Sequence, residues 1–281
     1  MKKGNRLRTV VTGILCGILL LGLILLGYYF WNGYQEKKKQ QDLEEQVVDK
    51  EAIEEPKETN PIDFESLWAV NPDVYAWIYI PGTNISYPVL QHPDDNTYYL
   101  EHTIEGEKKR PGTIYSEDYN NKDFTDFNTI LYGHNMHSNG TMFYELHNYE
   151  NADFVQQNRQ IIIYLPDRQL TYQIIAVAVT DNSHLMYKYN QFDKQGQDAF
   201  FVMLQNTDAE GEYYDASYQR KEDEHLLTLS TCVYGHYENR FLVVGALVDE
   251  TELSMQETTD EAADGADAAD EADTAGAADA Q

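Results

Sequence analysis

The chain has 281 residues, 48 Asp and Glu against 20 Lys and Arg, and a formal net charge of −28. So acidic a chain would be repelled by nucleic acid and by an anionic membrane surface, which excludes those partners for its exposed face. The length allows one domain of ordinary size with appendages, and the composition along the chain favours that division over two small domains.

Residues 1–9 form a short arm with Lys2, Lys3, Arg6 and Arg8 and no acidic residue. Val10 to Trp31, VVTGILCGILLLGLILLGYYFW, then runs without a charge. As a helix it would span about 33 Å, the thickness of a bilayer core. It is too long for the apolar part of a cleavable signal, no small-x-small site follows it, and Tyr28 to Trp31 form an interfacial aromatic belt. The expectation is an uncleaved single-pass anchor with the N-terminus cytoplasmic and the remainder extracellular. Residues 32–61, rich in Glu, Lys and Gln, read as a charged stalk, either helical or flexible.

A folded domain is expected over 62–249. Phe64, Leu67 and Trp68 share one face of a short helix that Asn71-Pro72 ends. WIYIPGTNISYPVL reads as two strands around a Pro-Gly turn, NTYYLEH as a short helix or turn, and GTIYS as a strand. FNTILYG is a strand that delivers His134 at its end. TMFYELHNYENADFVQQN reads as helical, and QIIIYLPDRQLTYQIIAVAVT as a hairpin turning at Pro166-Asp167. Phe200, Phe201 and Leu204 recur at helical spacing in DKQGQDAFFVMLQNT. LLTLSTC and RFLVVGALV are β-branched, apolar strands joined by VYGHYEN. Many short strands with few helices between them predict a mainly β domain with added helices, a closed and largely antiparallel barrel or a sandwich. Residues 250–281 lack Lys and Arg and are dominated by Ala, Asp, Glu and Thr, the composition of a disordered acidic tail.

Of two cysteines, Cys16 lies in the apolar run as a small filler, so Cys232 is the only thiol of the exported part and has no disulfide partner there. A lone cysteine is often a small buried hydrophobe; at a strand end beside a Gly-containing loop it can instead be a nucleophile. Arg240 opens the next strand, where it either snorkels to solvent or donates fixed, permanently charged hydrogen bonds to a developing oxyanion. Two histidines compete as the base. His236 lies four residues from Cys232 on the connecting loop, whereas His134 comes from a separate strand end, and placement on a rigid element favours His134. His92, His102, His137, His147, His184 and His225 show no metal-ligand spacing and read as surface or packing residues; no metal and no other cofactor is expected.

LYGHN, TLSTC and ENRFLVVGAL, in that order, resemble the motifs of the sortases, membrane-anchored cysteine transpeptidases of Gram-positive bacteria. The longer pieces NPDVYAWIYIPGTNISYPVLQ and YGHNMHSNGTMF look like class B. The resemblance covers Phe64 to Leu247 and implies a sortase-type β-barrel with N-terminal helices and a helix-bearing insertion between two late strands. It implies His134, Cys232 and Arg240 as the catalytic set, and Asn96, Leu100, Tyr132, Ser230 and Thr231 as substrate-binding residues. It further implies partners: surface proteins bearing a C-terminal sorting signal, and an amine of a peptidoglycan precursor or cross-bridge. The acidic tail lies outside the family pattern.

Overall fold

The computed structural model describes residues 2–54, 58–207 and 209–256, so most of the tail expected over 250–281 lies outside the described residues. The first helix, α1 (Lys2–Val47), is 46 residues long and joins the apolar run and most of the stalk into one rod. Its apolar stretch, with mean hydropathy 2.7, has no residue buried in the protein, so α1 is a candidate membrane span. Its other end is docked: Val47 and Val48, with Leu43 beside them, pack on Ile62, Phe64 and Leu67. After α2 (Lys50–Glu54), α3 (Phe64–Val70) starts on an Asp63 cap that accepts from the Ser66 backbone and stops at Asn71, before Pro72. Phe64 and Leu67 are buried, while Trp68 stays at the edge and donates from its indole to the Val74 carbonyl.

The strands follow as β1 (Val74–Tyr79), β2 (Ser86–Leu90), β3 (Ile114–Tyr115), β4 (Asn128–Tyr132), β5 (Asn135–Met136), β6 (Thr141–Met142), β7 (Gln160–Tyr164), β8 (Arg168–Asp181), β9 (Tyr213–Tyr214), β10 (Leu226–Val233) and β11 (His236–Glu252). Among the described residues, eight strands close in the order β11-β10-β4-β3-β2-β1-β7-β8, and the pairing of β8 with β11 seals the ring. It is the closed form of the two architectures expected. Two of its pairings, β2 with β3 and β4 with β10, are parallel and the rest antiparallel.

Period-two alternation assigns the faces. Along β11, Phe241 and Val243 join an inner core that draws on all eight barrel strands, including Ile78, Val89, Ile114, Leu131, Ile163 and Leu229. Leu242 and Val244 point the other way, under Phe200, Phe201 and Leu204 of α7 (Lys194–Gln205). The helix-bearing insertion is thus α6 (Leu185–Tyr189) and α7, carried between β8 and β9 on the outer face. A third cluster seats α1, α3 and the short α4 (Tyr98–Glu101) on Trp77, Leu90 and Tyr164.

Three local expectations change. The stretch from Thr141 is not one helix: it comprises β6, a 3-10 helix over Phe143–Glu150, and α5 (Ala152–Gln157), because Asn151 breaks the rod and caps α5 with its side chain. The VYGHYEN connection is nearly all strand, a tight turn at Tyr234-Gly235 with Gly235 at φ +79°, so His236 opens β11. β11 also continues to Glu252, past Asp249, because Gln169 and Arg168 of the long β8 remain to be paired.

Just past the end of β4, Gly133 packs tightly between Ile114 of β3 and Phe143 of the 3-10 helix. A Cβ there would meet Ile114 Cδ1 at 2.5 Å and Phe143 Cδ2 at 2.7 Å. Gly133→Ala should therefore cost about 1–3 kcal/mol, the range of overpacked cores. A thermal unfolding curve indistinguishable from that of the unchanged protein would refute this tight fit.

Candidate active site

β10 and β4 run parallel with Ser230 opposite Tyr132, so their ends deliver Cys232 and His134 to the same rim of the barrel. Thr231, buried, donates its hydroxyl to the Gly133 carbonyl at 2.8 Å, and the Gly133 amide donates to the Ser230 carbonyl at 3.2 Å. These bonds fasten the two strand ends to each other. Both Cys232 and His134 line one groove of about 640 Å³.

The imidazole of His134 is fixed from behind. Its Nε2 lies 2.9 Å from the Leu100 carbonyl, and since a carbonyl only accepts, Nε2 carries the proton. Burial, and then the charge of Arg110, hold the His134 pKa below the ordinary 6.5, against the Leu100 bond and Glu101. At neutral pH the ring is therefore uncharged, with an Nδ1 lone pair available to take a proton.

Cys232 is half-buried. Its carbonyl accepts from Asn135 Nδ2 at 3.1 Å and from His147 Nε2 at 3.2 Å. His147 is itself held by Glu150 at 2.6 Å and by stacking on Phe241, with centroids 4.5 Å apart. Sequence reasoning placed His147 among the packing residues and passed over Asn135. Asn135 stood in plain view inside YGHN, whereas His147 approaches the cysteine only through the tertiary path of the 3-10 helix.

Arg240 is the direct register partner of Cys232 across β10 and β11. Its guanidinium donates to the Tyr237 and Asn239 carbonyls at 3.0 and 3.1 Å, and its charge acts on the buried hydroxyls of Tyr115 and Tyr132. His236 is exposed at the first position of β11, 3.7 Å from Glu238, and does not line the groove.

None of Asn96, Leu100, Tyr132, Ser230 or Thr231 lines that groove. Asn96 exchanges two hydrogen bonds with Asp118, at 2.6 and 2.8 Å. The Leu100 carbonyl serves His134. Tyr132 stacks on Tyr115 at 5.5 Å and keeps a buried hydroxyl without a hydrogen-bond partner, and Ser230 is buried beside it. Next to Tyr132, Glu117 and His184 form a half-buried pair at 2.5 Å, with burial pushing the carboxyl of Glu117 up against the pull of His184. That pair ties the start of the α6 insertion to the end of β3, a link that no spacing in the sequence signals. Among the described residues no cluster of His, Cys, Asp or Glu has metal-ligand geometry.

A closed eight-stranded barrel of this order, with helices at its N-terminal side and over one outer face, is a sortase-type fold. A family model described as Sortase domain matches residues 78–248, and the chain belongs to the sortase family, whose members are cysteine transpeptidases. Within it the chain is class B-like. It is 33% identical over 189 residues to Sortase B of Listeria monocytogenes, covering 66% of this chain and 74% of that protein. It is 29% identical over 187 residues to Sortase B of Staphylococcus aureus, with the same coverage of both. A solved Staphylococcus aureus sortase B-substrate complex matches with a TM-score of 0.60 and 26% identity, covering 76% of this chain and 94% of that one. A Streptococcus pyogenes class B sortase involved in pilus biogenesis matches with a TM-score of 0.58 and 26% identity, over 66% of this chain and 97% of that one.

The depressed His134 pKa makes a signed prediction for activity. If His134 acts as the base, the acid limb of the kcat/KM profile should have its midpoint below 6.5, because the base of the free enzyme works unprotonated. Arg110→Gln removes the second cause of the depression and should move that midpoint upward; an unmoved limb would separate it from His134.

Proposed function

We propose that this chain is an extracellular, membrane-anchored transpeptidase that cuts a C-terminal sorting signal from exported proteins and joins the new carboxyl end to a cell-wall peptidoglycan amine. The observation that carries this reading is the convergence of one thiol and one neutral imidazole on a common groove, with Arg240 in register beside the thiol.

In this reading His134 takes the proton of Cys232, and the sulfur attacks the scissile carbonyl. The carbon–sulfur bond forms, the peptide C–N bond breaks, and the leaving amine receives the proton from His134. A thioester remains on Cys232. Arg240, always charged, stabilises the oxyanion that develops at each tetrahedral stage. The Cys232 backbone does not yield as the thiol reacts, since Asn135 and His147 both hold its carbonyl. The signal is assigned to the side of the thiol where Tyr132 and Ser230 lie beside the Glu117–His184 pair, with Leu100 and Asn96 as the further residues that the family resemblance implies. No step requires a metal or an organic cofactor.

A second reading has the same first half and a different acceptor, a lysine of another pilin subunit. What favours keeping it is the likeness to the Streptococcus pyogenes class B sortase involved in pilus biogenesis.

Cys232→Ala should abolish both the thioester, detected by mass spectrometry, and cleavage of a sorting peptide. His134→Ala should lower kcat by about 10²–10⁴, the range for loss of a general acid–base group, and Arg240→Ala by about 10²–10³. His236→Ala should leave turnover unchanged. Turnover retained by Cys232→Ala, or equal losses at His134 and His236, would sink the assignment.

A further inference from the structure

The groove that opens on Cys232 is walled on one side by the anchor helix itself. Tyr34 and Lys37 of α1 line it together with Tyr234 and His137, a stacked pair with centroids 4.1 Å apart, and with Arg110. The helix is held in that position. Glu36 pairs with Lys109 of the loop before β3, and Lys39 with Glu107 at 4.0 Å. Gly33 passes so close to the β5–β6 turn that a Cβ there would stand 3.7 Å from Asn139 Cβ.

We propose that this groove admits the second substrate, a peptide carrying a free amine and a carboxylate, and that Tyr34 and Lys37 of the anchor helix are part of its binding site. The inference rests on the transpeptidase reading above. Two further observations favour an acceptor over a signal here. None of the residues assigned to the signal lines this groove, which leaves it open to a second substrate. The charge of the lining is also inverted relative to the chain. A protein of net charge −28 gathers Lys37, Lys109 and Arg110 here against one carboxylate, Glu36, which Lys109 occupies.

Cations in the wall act on the incoming peptide twice. They attract its carboxylate, and they disfavour the ammonium form of its amine, so that more of it is present as the neutral nucleophile. The amine nitrogen then bonds to the thioester carbonyl carbon, the carbon–sulfur bond breaks, the electron pair returns to the sulfur of Cys232, and the amine proton passes to His134. Lys37 lies six residues beyond Trp31, about 9 Å along the helix, so the groove mouth opens close to the end of the apolar run.

The test uses the full chain in detergent or nanodiscs, a sorting peptide that acylates it, and two acceptors: dialanine with its free carboxylate, and the same dipeptide as the amide. Mass spectrometry reads the acylation rate and the ratio of aminolysis to hydrolysis. The unchanged protein should prefer dialanine over the amide. Lys37→Glu should lower the ratio for dialanine about three- to fivefold, the scale of one exposed charge pair, and erase the preference. Tyr34→Ala should lower the ratio for both acceptors. Acylation should stay within about twofold throughout, which also reports an intact fold. Ratios unchanged in both variants, with acylation intact, would overturn the acceptor site alone. Absence of any acyl-enzyme on the unchanged protein would overturn the transpeptidase reading and this inference with it.

Discussion

The parallel seam between β4 and β10 is the constraint from which the site follows. Parallel neighbours are evenly spaced and end on the same side of a sheet, so two strands far apart in the chain present their C-terminal residues together. Here the seam places Tyr132 against Ser230, and the next residues of each strand, Gly133-His134 and Thr231-Cys232, emerge at one rim. The Thr231 hydroxyl on the Gly133 carbonyl fixes that register at the last turn of the ladder. An antiparallel seam would have sent His134 to the opposite end of the barrel.

Rigidity at this rim comes from hydrogen bonds between groups that do not react. The Leu100 carbonyl settles which ring nitrogen of His134 carries the proton, and Asn135 with His147 settles the path of the backbone at Cys232. Each of these groups stands on a different element: Leu100 on α4, Asn135 at the start of β5, and His147 on the 3-10 helix. A thiol and an imidazole held independently lose little orientational freedom when they act together, which is the physical content of preorganisation.

How much of this was legible in the sequence depended on whether the signal was local. The strands of QIIIY, LLTLSTC and RFLVVGALV could be read from composition and alternation, and the α7 helix from Phe200, Phe201 and Leu204, because burial of those side chains follows the local period. Closure of the barrel could not, since the β8–β11 seal joins residues about seventy positions apart and shows no pattern of its own. The stretch after Thr141 misled because its apolar spacing fits a helix on either side of Asn151, while the break depends on a cap. At the site the motifs gave Cys232, His134 and Arg240, but His147, which holds the Cys232 carbonyl, and the Glu117–His184 pair beside Tyr132 come from segments with no sequence relation to the motifs.

The acidity of the chain has a different meaning at the rim from its meaning overall. A net charge of −28 would by itself repel a carboxylate-bearing ligand at long range, within the roughly 8–10 Å over which salt leaves such fields intact. Local arrangement offsets that field where the thiol opens: Lys37, Lys109 and Arg110 stand at the groove, and the one acid that lines it among the described residues, Glu36, pairs with Lys109. After burial, the same Arg110 charge is what depresses the His134 pKa, so in the proposed reading one cation serves both the anionic peptide and the base. On that reading, an Arg110 substitution should change acceptor binding and the protonation of His134 together.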